Sequence, residues 1–91
     1  MHPPASVRVL SVSDYEGIKT SRELLLQSAG YSVVSMSSEC ALRDEIPGHI
    51  AIAVIGHTTD DVSAFCIAGR LRRTQAHIRI LLGAPRLARF I

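Results

Sequence analysis

The stretch Leu24-Leu-Leu-Gln-Ser-Ala-Gly-Tyr-Ser-Val-Val34 joins the end of a helix to the start of a strand. Upstream, Tyr15 to Ala29 places Ile18, Ser21, Arg22, Leu25 and Ala29 at three- and four-residue spacing, which predicts a helix with those residues on its packed face. Gly30 stands where the left-handed residue that ends a helix belongs, and Asp14 is placed to cap the helix start. From Tyr31 to Val34 the pattern changes to a short apolar strand.

Working outward, Val7 to Val12 and Ile50 to Ile55 are aliphatic, β-branched runs without strict alternation, as central strands covered on both faces require. Ser37, Ser38 and Glu39 open a short second helix through Leu42 and Arg43, which Pro47 and Gly48 stop. Asp60 and Asp61 favour the start of a third helix, Val62 to Arg73, with Ala64, Ile67, Ala68 and Leu71 on one side. Ile78 to Leu82 completes four strands. The order βαβαβαβ, with short right-handed connections, predicts an α/β fold with an open parallel sheet.

At 91 residues, with 47% hydrophobic and 20% charged residues, the chain has the balance of one small globular domain. We divide it into a flexible tail over 1–6, a domain over 7–84 and a C-terminal tail over 85–91. No apolar run approaches the roughly 20 residues of a membrane helix, and Met1 to Ser6 does not read as a secretory signal. A cytoplasmic protein is expected, with Cys40 and Cys66 as reduced, small core residues. All eight acids lie at or before Asp61, whereas Arg70, Arg72, Arg73, Arg79, Arg86 and Arg89 follow it.

Over about Val7 to Ala84 the sequence resembles the receiver domain of bacterial response regulators. The resemblance rests on Arg8-Val-Leu-Ser-Val-Ser-Asp14, the Leu24 to Val34 stretch, Ala51-Ile-Ala-Val-Ile-Gly56 and Ile78-Arg-Ile-Leu-Leu-Gly83, in that order. It implies a flavodoxin-like sheet of strand order 2-1-3-4. In that family an acid pair after the first strand holds magnesium, an aspartate ending the third strand accepts phosphate, and a hydroxyl residue ends the fourth. Here Ser13 and Asp14 take the places of the acid pair, Gly56 that of the phosphorylated aspartate and Gly83 that of the hydroxyl residue. The fifth strand, its lysine and the helices around it have no counterpart after Ala84, so the domain reads as truncated before the fifth strand.

Glycine offers no nucleophile, and one carboxylate is a poor magnesium site, so neither aspartyl phosphorylation nor a metal or other cofactor is expected. His57 follows Gly56 at the carboxyl end of a central strand, where ligands gather in open α/β sheets, and with Thr58 and Thr59 forms the candidate recognition loop. His49 and His77 precede strands at the opposite end, and no nucleophile elbow or phosphate-binding glycine motif is present. The chain therefore reads as a non-enzymatic, non-phosphorylatable receiver-like module acting through a protein partner or homodimer. An exposed fourth-strand edge and an incompletely covered sheet face would serve such contacts. Other readings are a basic nucleic-acid-associating protein using Arg70, Arg72, Arg73, Arg86 and Arg89 as anion contacts, an enzyme using His57, and a non-functional receiver fragment.

Overall fold

The structure is a computed structural model that describes residues 7–56, 60–83 and 88–90. The elements are β1 (Arg8–Val12), α1 (Glu16–Ser28), β2 (Ser32–Met36), α2 (Ser38–Arg43), β3 (Ile52–Ile55), α3 (Asp61–Thr74), β4 (Arg79–Gly83) and β5 (Ala88–Phe90). The four predicted strands are parallel and ordered 2-1-3-4, as expected. The expected tail and open edge need correction, because Ala88–Phe90 lies antiparallel against Leu81–Gly83. Unpaired strand groups are costly to leave without partners, and this short strand supplies them along the outer half of β4.

Residues paired across parallel strands share a face. Leu10 is level with Val34 and Ala53, and Ala53 with Ile80, so one face of the sheet is aliphatic across the four parallel strands. Ala41 of α2 and Ala64, Ile67 and Leu71 of α3 close over it, forming a core with Leu10, Val12, Ala53, Ile55 and Ile80. Each large side chain buried there contributes about 1.5–3 kcal/mol. The loop entering β3 is pinned to this layer by Gln75, whose side chain accepts from the Ile50 N–H and donates to the Pro47 carbonyl.

On the other face α1 packs over β1 and β2. It has no fully buried residue; Ile18, Lys19, Arg22, Glu23 and Leu26 are its half-buried side. Leu25, expected on the packed face, is instead 72% exposed. Neighbouring helix positions are rotated by roughly 100°, so turning Leu26 inward carries Leu25 to the margin. Beyond α1, Ile52, Val54 and Leu81 of β3 and β4 are only half-buried, which leaves an apolar strip on this face. Cys66, expected in the core, is exposed, since its neighbour Ile67 takes the inward position on α3.

Gly30 adopts φ +95°, the left-handed conformation expected of it, and a Cβ there would meet nothing within 4 Å. Gly30→Ala is therefore expected to cost about 1 kcal/mol through backbone strain alone, read as a lower urea midpoint with an unchanged m-value. At the start of α3 the Asp60 carboxylate accepts from the Ser63 N–H at 3.0 Å, as its capping role predicts. Hydrogen bonds from Ser63 hold its pKa below the ordinary 3.8. A depressed carboxyl pKa adds stability above the unfolded value and loses it as pH falls through the folded one. Asp60→Asn, which keeps a cap but cannot ionise, is expected to be less sensitive than the parent to acid below about pH 4, measured by thermal unfolding from pH 6 to pH 2.

Candidate binding site at the carboxyl ends of the strands

The carboxyl ends of β1 and β3 meet where the strand order turns from β2-β1 to β3-β4, the place where open α/β sheets bind ligands. Ser13 is buried, and its N–H donates to the Met36 carbonyl at 3.0 Å, extending the β1–β2 ladder. Its hydroxyl stays local, within 3.4 Å of Tyr15 backbone groups. Asp14 does not cap α1, whose N-cap is Tyr15 with no side-chain bond. It reaches instead to the start of α2, where Oδ1 accepts from the Ser38 N–H at 2.8 Å and Oδ2 accepts from the Ser38 hydroxyl at 2.8 Å. Ser37 completes the same cap by accepting from the Cys40 N–H at 3.1 Å. The carboxylate sits beside otherwise unsatisfied helix donors and the positive end of the helix dipole.

Gly56 closes β3, donating its N–H to the Val12 carbonyl at 2.9 Å. A Cβ at this position would stand 3.3 Å from the Val12 oxygen and 3.4 Å from Arg22 Nη2. The space beside the β3 terminus is thus bounded by a guanidinium. Arg22 Nη1 donates to Ser11 Oγ at 3.2 Å and to the Val12 carbonyl at 3.4 Å. The one ion pair among the described residues is Arg43 with Glu39 on α2, so no described carboxylate faces Arg22. Burial lowers the pKa of its guanidinium, because desolvation penalises the charged form. Arg22 was legible only as one of the α1 stripe; an arginine in an inward stripe, opposite a glycine ending a central strand, is the signal that marks it.

These groups do not fit a magnesium ion. Both oxygens of the single carboxylate, Asp14, are engaged by Ser38, and the nearest strongly charged group to Gly56 is a cation. Among the described residues no three His, Cys, Asp or Glu side chains gather. Gly83 ends β4, with Ala88 as its β5 partner. His57, Thr58, Thr59 and Arg86 lie outside the described residues.

The other candidate anion contacts separate. Arg70 donates to the backbone carbonyls of Ala41 and Asp44, joining α3 to the end of α2. Arg72 and Arg73 are exposed in the last turn of α3, and Arg89 lies in β5. His49, at φ +60°, and His77 are exposed near the amino ends of β3 and β4, away from Gly56.

Among solved structures, the non-phosphorylated HemR receiver domain from Leptospira biflexa matches with a TM-score of 0.70 at 20% identity, over 85% of this chain and 63% of that one. The chain has a receiver-domain fold. A second match is to the crystal structure of the histidine kinase ThkA in complex with the response regulator protein TrrA, with a TM-score of 0.69 at 24% identity, over 87% of this chain and 69% of that one. No family model and no curated protein matches the sequence. At the carboxyl end of the sheet, Gly56 follows β3 with the Arg22 guanidinium beside it, while Asp14, after β1, is bound to the start of α2. No described helix is long and apolar enough to cross a membrane.

Proposed function

We propose that this chain is a degenerate receiver-fold signalling module that acts in the cytoplasm through protein contacts, without phosphotransfer or enzymatic activity. The observation that carries this reading is the pair formed by Gly56 and Arg22: a residue without a nucleophile ends β3, and a guanidinium stands 3.4 Å from where its side chain would begin. Aspartyl phosphorylation needs a carboxylate and a divalent cation at this point, and an arginine there repels the cation. The TrrA match, a response regulator in complex with a kinase, supports a protein as partner. So does the half-buried apolar strip of Ile52, Val54 and Leu81 beside α1, which a second copy or a larger protein would cover. The loop around Asp14, with Gly56 to Thr59, is its recognition surface.

The test is intact mass after incubating the purified chain with acetyl phosphate and magnesium, with sedimentation over a range of concentrations. An unchanged mass is expected. A phosphorylated species would overturn the phosphorylation-independent reading.

A further inference from the structure

Arg22 ties α1 to β1 through neutral acceptors alone, which leave its charge without an anionic partner among the described residues. Its two hydrogen bonds, to Ser11 Oγ and the Val12 carbonyl, are at 3.2 and 3.4 Å, and both come from Nη1. Nη2 and Nε donate to no described residue, although the guanidinium is half-buried. Partly removing a cation from water without an anion costs free energy, which an incoming carboxylate would recover through paired, charge-assisted hydrogen bonds.

The surroundings define what carries that carboxylate. Tyr15, Gly17, Ile18, Ser21, Arg22 and Leu25 line an open depression along α1. Tyr15 is 60% and Leu25 72% exposed, so its rim is apolar and accessible while its charged member is a cation. An inorganic ion would leave that rim in water. A carboxylate borne on an apolar segment would satisfy both parts, and Arg favours carboxylates because its planar fork matches two oxygens.

We propose that Arg22, with the rim of Tyr15, Ile18 and Leu25, is a docking site for an acidic side chain within an apolar segment of a partner protein. The partner's carboxylate supplies in trans the acid that Gly56 lacks in cis. This deepens the protein-contact reading above and rests on it. The site differs from a phosphoryl pocket because it uses a fixed cation and no metal.

The experiment is a nuclear magnetic resonance titration of the full chain with 4-phenylbutanoate, following the Arg22 Nε–H and Gly56 amide signals. The neutral 4-phenylbutanol and inorganic phosphate serve as comparison probes. Saturable shifts of both signals with the carboxylate are expected, with binding at least tenfold weaker for the alcohol and for phosphate. Arg22→Gln is expected to weaken carboxylate binding at least tenfold. Gly56→Asp, which places a carboxylate beside Arg22 within the chain, is expected to do the same while keeping a dispersed, folded spectrum, so the test stands even where Arg22→Gln fails to fold. Undiminished binding by Gly56→Asp, equal binding of the alcohol, tighter binding of phosphate, or shifts confined to other residues would each overturn the site. Those outcomes leave the phosphorylation-independent reading intact, whereas phosphorylation by acetyl phosphate overturns that reading by mass alone.

Discussion

Leu71→Ala is expected to lower the unfolding free energy by about 3 kcal/mol, within the range of roughly 2–5 kcal/mol for truncating a buried leucine. Leu71 is fully buried on α3, in the core shared with Leu10, Ala53, Ile67 and Ile80. Leu71 fills the space between α3 and the sheet, so the lost methyl groups leave a cavity that the sheet cannot close without shifting. For a domain of this size such a loss lowers the melting temperature by roughly 12–24 °C. Leu25→Ala is the control. The same chemical change on α1 is expected to stay within about 0.5 kcal/mol, because Leu25 is 72% exposed. Urea unfolding of both variants checks the pair, and similar losses would mean that α1 packs through Leu25 after all.

Arg70→Ala is expected to cost about 1.5 kcal/mol, the lower part of the range for hydrogen bonds to a charged donor, since Arg70 is only half-buried. Its guanidinium joins the Ala41 and Asp44 carbonyls at the end of α2, which as a six-residue helix has little stability of its own. Hydrogen exchange of the α2 amides is expected to quicken beyond the global change. Because the acceptors are neutral carbonyls, the loss is expected to be nearly the same at low and high salt. Arg72→Ala and Arg73→Ala, on exposed positions of the same helix, are expected to change stability by less than about 0.5 kcal/mol. This contrast separates the structural arginine from the two whose charge is free to act on solution partners.

These expectations show why the arginine-rich end of α3 cannot be read as a unit. In the sequence Arg70, Arg72 and Arg73 are equivalent charges at the end of a helix. The helical turn aims Arg70 at α2 and the other two at solvent, and only the packing of α2 beside α3 makes that distinction. Asp14 changes role for the same reason. Next to α1 in sequence it reads as that helix's cap, yet the parallel pairing of β1 with β2 carries the start of α2 to within 2.8 Å of its carboxylate.

The strands, the helices and their order were legible because they rest on local signals: β-branched runs without alternation, Gly30 at a left-handed turn, and Ser37 and Asp60 as helix caps. From these, short connections and the handedness of crossovers leave few arrangements besides an open parallel sheet. That Gly56 ends the third strand, and so removes any nucleophile there, is likewise a property of the sequence alone. What fills the space beside it is not. Arg22 and Gly56 are separated by an entire strand-helix-strand passage, and they meet because β1 and β3 are neighbours and both the Arg22 guanidinium and the Gly56 N–H reach the Val12 carbonyl at the end of β1. The antiparallel β5 and the exposure of Leu25 are decisions of the same kind. Each depends on which backbone groups and apolar faces the assembled sheet leaves without a partner, and no short stretch of chain records that.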